Sequence, residues 1–194
     1  WTALMSAASK GHTGSIRHIL ENKNTDPNLA NTNGWSALML ATNKDDSESV
    51  RLILSNEKTN PNLVNTNGFT ALMDAANEGY DSSIRILLSN KRIDPNLVNK
   101  DGFTALMFAA SKGHTESIML ILSNKKTDPN LTGKDSWTAL MSAASKGHTG
   151  SVRHILENSR TDLNLVNNNG QTALDIFQGD PREINQLISK AMEN

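Results

Sequence analysis

Residues 102–135 read "GFTALMFAASKGHTESIMLILSNKKTDPNLTGKD", and the stretch one unit earlier, residues 68–90, reads "GFTALMDAANEGYDSSIRILLSN". In the second of these, Thr70 precedes an apolar run, and its hydroxyl is placed to cap the first free N–H groups of a helix. Leu72, Met73, Ala75 and Ala76 then predict a short helix of about two turns. Gly79 ends it, because glycine takes the left-handed conformation cheaply. Ile84, Leu87 and Leu88, spaced by three and four, predict a second helix, and Asn90 is expected to stop it by taking a positive φ. "KRIDPNLVNKDG" (91–102) follows, where proline and Asp-Gly mark an extended stretch and a tight turn. Two such short helices cannot bury both faces alone, so each unit needs neighbours.

The start of this pattern recurs at Trp1, Trp35, Phe69, Phe103 and Trp137, and in a degenerate copy at Gln171, always 34 residues apart. A fixed period of this length marks a stacked repeat protein. The units run 1–34, 35–68, 69–102, 103–136 and 137–170, with 171–194 as a closing C-terminal cap that has a shortened first helix and whose Gln186, Ser189, Lys190 and Glu193 suit an outer face. Small residues at Ala7–Ala8, Ala75–Ala76, Ala109–Ala110 and Ala143–Ala144 let neighbouring first helices approach closely. Leu20, Leu54, Leu88, Leu122 and Leu156 are expected to form the matching ridge on the second helices, and Met5, Met39, Met73, Met107 and Met141 to fill the gap between units.

Nineteen Lys and Arg against 20 Asp and Glu leave a net charge of −1, which gives no electrostatic footprint for nucleic acid or an anionic membrane. The chain has no cysteine, so disulfides, thiolate metal sites and a cysteine nucleophile are excluded. No apolar run approaches the roughly 18 residues of a membrane span, and "WTALMSAASKGH" lacks a signal-peptide pattern. An intracellular, cytoplasmic setting follows as the expectation. Asparagine is frequent, as in "NLVNTNG", and reads as turn chemistry.

These repeated residues make the sequence similar to the ankyrin repeat family. Gly102, Thr104, Leu106, Ala109, Ala110, Gly113 and His114 match the family's G-x-T-P-L-H-x-A-A-x-x-G-H unit, and Asp128 and Asn130 its hairpin. The family's T-P-L-H is here Thr104-Ala105-Leu106-Met107, and each unit is one residue longer than usual, near "SNKKTDPN". Tetratricopeptide repeats share the period but need two long helices, for which the hairpin segment leaves too little chain. The resemblance implies an all-α solenoid of helix-turn-helix-hairpin units, with no catalysis, cofactor or metal.

It also implies an inner, concave face for binding a protein or peptide partner. That face would comprise Trp35, Phe69, Phe103 and Trp137 after the hairpins, Leu40, Asp74 and Phe108 in the first helix, and Asn43, Asn77 and Ser111 near its end. Exposed aromatics of this kind are typical interface anchors. The competing reading is that they stiffen the array by packing on neighbouring hairpins. His12, His114 and His148 are expected to hydrogen-bond within turns, and His18 and His154 to be solvated. No nucleophile–base spacing and no glycine-rich phosphate motif is present. Asp45 and Asp46 replace the Gly-His turn in the second unit, either as a weak point or as a recognition feature. The alternative functions are a targeting array of a larger protein or enzyme, and a structural or self-associating spacer.

The first unit is expected to be interior in type. It matches the fifth at 28 of 34 positions and keeps Leu4, Met5, Ile16, Ile19 and Leu20. Further repeats upstream, a covering partner or self-association through this end would hide that apolar side, and polar substitutions at Met5 and Ile16 are expected to raise stability or solubility.

Overall fold

The structure is a computed structural model that describes residues 1–180 together with Arg182, Gln186 and Leu187. Among the described residues ten α-helices run in pairs: α1 (Ala3–Ser9) and α2 (Thr13–Glu21), α3 (Ala37–Thr42) and α4 (Ser47–Ser55), α5 (Ala71–Glu78) and α6 (Asp81–Ser89), α7 (Ala105–Lys112) and α8 (Thr115–Ser123), α9 (Ala139–Ala144) and α10 (Thr149–Leu156). The odd helices pack side by side in one row and the even helices in a second, and each pair also packs on itself. Residues 173–176, the start of the degenerate sixth unit, form a turn where a shortened helix was expected. Of the residues expected on that unit's outer face, Gln186 is exposed, and Ser189, Lys190 and Glu193 lie outside the described residues.

Each inner-row helix starts on a hydroxyl. The side chains of Thr2, Ser36, Thr70, Thr104 and Thr138 accept the N–H of the methionine three residues on, at 3.1–3.4 Å. Gly79 and Gly113 end α5 and α7 in the left-handed conformation, as expected. The alanine pairs and all five methionines of the inner row are buried. Met5 and Met107 also turn their sulfurs back to accept the cap residue's N–H.

The outer row corrects two expectations. Of the expected leucine ridge, Leu54, Leu122 and Leu156 are buried but Leu20 and Leu88 only half-buried, and the most deeply buried ridge is Ile16, Val50, Ile84, Ile118 and Val152, joined by Ile53, Leu87, Ile121 and Ile155. Leu20 and Leu88 lie at the margin of the buried face, one residue beyond Ile19 and Leu87. Asn90 stops α6 at φ −79, not in the left-handed region. Its side-chain oxygen instead accepts the N–H of Arg92 at 2.9 Å, an Asx turn that redirects the chain without positive φ.

Asparagine also ties units together. Asn62 donates its amide to the Arg92 carbonyl at 2.8 Å and accepts the Asp94 N–H at 2.9 Å. Asn28, Asn96 and Asn130 make the same two bonds to the next unit. From the other side Lys58, Arg92, Lys126 and Arg160 donate to carbonyls 35 residues earlier. A backbone rung, such as Thr66 N–H to Asn33 O at 3.1 Å, joins neighbouring hairpin turns. The asparagine of the Asp-Pro-Asn segment is thus a clamp between units as well as a turn former.

The first unit's apolar set is largely internal. Leu4, Met5 and Ile16 are buried and Ile19 and Leu20 half-buried, whereas Trp1 and Leu29 are 72% and 50% exposed. A polar group at Met5 or Ile16 would therefore be buried without a partner, so the expected gain in stability reverses to a loss.

A serine column in the outer row supplies a contrast. Ser83 Oγ donates to Asp45 at 2.7 Å and Ser117 Oγ to Asp81 at 2.6 Å, each in the preceding unit. Ser151 Oγ, the next in line, is buried without a partner, because Thr115 stands where Asp81 stands one unit earlier. Ser117→Ala is expected to lower stability by about 1–2 kcal/mol, and Ser151→Ala to leave it unchanged or slightly higher. Urea unfolding of the two variants measures the difference.

Candidate functional site

The odd-numbered helices, termed the inner row, carry the residues expected on the concave face. α5 begins on the Thr70 cap, which places Phe69 just outside the helix and Asp74 one turn in. α7 repeats the arrangement with Phe103 and Phe108. The Phe108 ring bridges two units: its centroid lies 4.8 Å from Phe69 and 5.6 Å from Phe103, with tilts of 38° and 35°. Such tilted pairs are favourable beyond their buried area. Trp35, Phe69, Phe103, Phe108 and Trp137 are all half-buried, with one side against the core. They both stiffen the array and present apolar surface.

Asp74 lies beside this strip and accepts the Asn43 amide at 3.2 Å, which joins the first-helix and helix-end columns across two units. Burial pushes its carboxyl up to about 6; the Asn43 bond opposes that rise, and the nearby Glu78 carboxylate adds to it. Glu78 and the Tyr80 hydroxyl are the other titratable groups close by, and Tyr80 is itself raised, first by burial and then by Glu78, Asp74 and Asp45. Because the folded-state value lies above the ordinary one, charged Asp74 costs stability that is recovered as pH falls from about 6 to about 4. The shift corresponds to about 3 kcal/mol, which partial solvation reduces to about 1–2 kcal/mol. Asp74→Asn is expected to gain that amount at pH 7 and nothing at pH 4, in urea titrations at the two pH values.

Asn77 donates its amide to Glu78, and its carbonyl faces His114 Nε2 at 3.2 Å. Ser111 offers its carbonyl to His148 Nε2 at 3.3 Å. Since a carbonyl only accepts, each ring carries its proton on Nε2. These two histidines are therefore turn residues that link units. His12 is exposed, and His18, also exposed, lies 3.3 Å from Glu21. His154 departs from the expectation, being half-buried 3.1 Å from Glu157. Among the described residues no group of three or more His, Asp or Glu side chains is placed to hold a metal ion.

Asp45 and Asp46 both make contacts that serve the local structure. Asp45 takes φ 49 where the other units have glycine, and Asp46 caps α4 through the Ser49 N–H.

The sequence reading did not anticipate a hollow beside the residues expected on the concave face. An open hollow of about 280 Å³ lies between Phe103 and Trp137, lined also by Ser111, Lys134, Asp135, Ser142, Ser145 and Lys146. The hairpin turn above it is irregular. Where other units have Asn…Gly, here "GKDS" (133–136) has the glycine first and a serine last. Asp135 and Ser136 take positive φ of 57 and 60, and Lys134–Ser136 form a 3-10 turn. Its signal was visible as the one "NLTGKDSW" among copies of "NLVNTNGF". Leu40 is half-buried against the core, and Trp35 gives its N–H to Asn31. Neither makes a ring contact with the phenylalanines.

Paired short helices in two rows, with an aromatic and polar inner face, define the class of stacked-repeat interaction proteins. The sequence pattern of ankyrin repeats in three copies matches residues 1–62, 39–132 and 106–177. The chain belongs to the ankyrin repeat family. It is similar to the crystal structure of the ankyrin repeat protein EF0377, with 25% identity and a TM-score of 0.85 over 99% of this chain and 96% of that one. An ankyrin repeat domain from Acinetobacter baumannii AYE is 26% identical at the same TM-score, over 97% of each chain. No curated protein matches the sequence. This fold is generally a protein–protein interaction module, and the family is typically non-catalytic. Among the described residues no helix is long and apolar enough to cross a membrane.

Proposed function

We propose that the chain binds a protein or peptide partner on the inner face formed by Trp35, Phe69, Phe103, Phe108 and Trp137, with Leu40, Asn43, Asp74, Asn77 and Ser111 around them. The contact of Phe108 with both Phe69 and Phe103 carries this reading. A rigid aromatic strip that is half-exposed offers anchors whose ordering is already complete before binding. Self-association through the first unit has less to build on. Trp1 and Leu29 are the large apolar side chains exposed there, little beside the roughly 800 Å² per partner of a stable interface. The test is a quantitative pull-down from host lysate with the full chain and with Trp35, Phe69 and Phe103 changed together to alanine. Specific capture that the substitution abolishes, with helicity retained, is expected; capture that survives it unchanged would refute the reading.

A further inference from the structure

Over the stretch of the inner face from α5 to α9, acidic groups on α5 and basic groups beside α9 stand at its two ends outside any ion pair among the described residues, and exposed Lys112 at the end of α7 adds to the basic side. At the α5 end, Asp74 has the Glu78 carboxylate close enough to disfavour its ionisation. At the α9 end, Lys134 and Lys146 line the hollow beside Phe103 and Trp137, with Asp135 as the acidic group between them. None of the ion pairs among the described residues involves Asp74, Glu78, Lys134 or Lys146. Between the two ends runs the Phe69–Phe108–Phe103 strip. Half-burying a carboxylate with only an amide to hold it is unfavourable, and a cation brought by a partner would offset that cost. The hollow's aromatic walls and serines give the other end a shape, and its irregular turn holds two non-glycine residues in left-handed backbone. Backbone strain of this kind concentrates where loops bind.

Resting on the reading of the inner face above, we propose that the partner is an extended segment with a basic side chain for Asp74 and Glu78, apolar side chains for the phenylalanine strip, and an acidic side chain for the Lys134–Lys146 hollow. The charge pattern fixes the direction in which the segment crosses the units. Reversal of the segment would bring like charges together at both ends, which disfavours it.

The probe is a displayed library of random peptides of about twelve residues, long enough when extended to cross the two unit steps. It is panned against the full chain, against Asp74→Lys and Lys146→Glu, and against Asp74→Asn in case the lysine variant fails to fold. Selected peptides are expected to share a basic residue, an apolar centre and an acidic residue, in one order. A synthetic peptide of that pattern should bind each charge-reversed variant about tenfold more weakly, the loss of roughly one close ion pair. Asp74→Lys should abolish selection for the basic residue alone, and Lys146→Glu selection for the acidic one alone. Peptides that lack the pattern, or keep it through both reversals, overturn the inference; if Phe108→Ala still abolishes their binding, the inner face stands as the binding surface. Peptides indifferent to Phe108→Ala and Phe69→Ala overturn both. A library that yields no binder overturns the inference and leaves the pull-down to judge the face.

Discussion

Leu87→Ala is expected to lower the unfolding free energy by about 3–5 kcal/mol, near the upper end for a buried leucine. Leu87 lies in α6 of the third unit, is fully buried, and belongs to the ridge that joins the two helix rows. The cavity cannot collapse easily, because the inner row beneath it is already closely packed with buried alanines and methionines. Half-buried Leu88, its neighbour, should cost only about 1–2 kcal/mol on the same change, since less apolar surface is returned to water. Position along the stack matters as much as burial. Ile16 is equally buried but lies in the first unit. Because each unit touches only its neighbours, Ile16→Ala should fray one end while the remaining units unfold near the original midpoint. Leu87→Ala should split the array and lower the main transition. Urea unfolding followed by circular dichroism and by tryptophan fluorescence distinguishes the two. Identical shifts of one cooperative transition would contradict a one-dimensional stack.

Gly68→Ala is expected to cost about 2–3 kcal/mol, from backbone strain and forced overpacking together. Gly68 closes the second hairpin turn at φ +82. A Cβ there would lie 2.8 Å from the Lys100 nitrogen and 3.0 Å from the Asn99 Cα, both backbone atoms of the next turn. That turn cannot retreat without losing the Lys100 N–H bond to the Asn67 carbonyl. Gly170 is the control: it takes φ +72 but meets nothing within 4 Å. Gly170→Ala should therefore cost only the conformational part, about 1 kcal/mol. Equal losses at the two glycines would show that close stacking of the turns contributes nothing.

The repeat, the caps on Thr70 and its counterparts, and the left-handed Gly79 were legible because each is a local pattern restated every 34 residues. Other features were hidden because they depend on direction in space. Whether Leu87 or Leu88 faces inward is a question of one residue's rotation about the helix, and both satisfy a three-four spacing. The asparagine clamp is invisible in one unit, since Asn62 and its partners Arg92 and Asp94 lie about 30 residues apart and meet only after stacking. Asn90 shows the reverse error: a residue able to take positive φ did not need to, because its side chain made the turn. For the candidate site, the columns came from the family resemblance, and the structure joined part of them through Phe108 and the Asn43–Asp74 bond. The hollow escaped because its lysines come from an irregular turn and a helix end that share no column.

Site-specific photo-crosslinking tests the partner-binding claim most directly. A benzophenone side chain is placed at Asn77 or Ser111 on the inner face, or at Met119, which is exposed on α8 in the outer row. In host lysate, the account predicts a discrete adduct from Asn77 and Ser111, lost when Phe69 and Phe103 are changed to alanine, and none from Met119. A discrete adduct from Met119 with none from the inner face would contradict it.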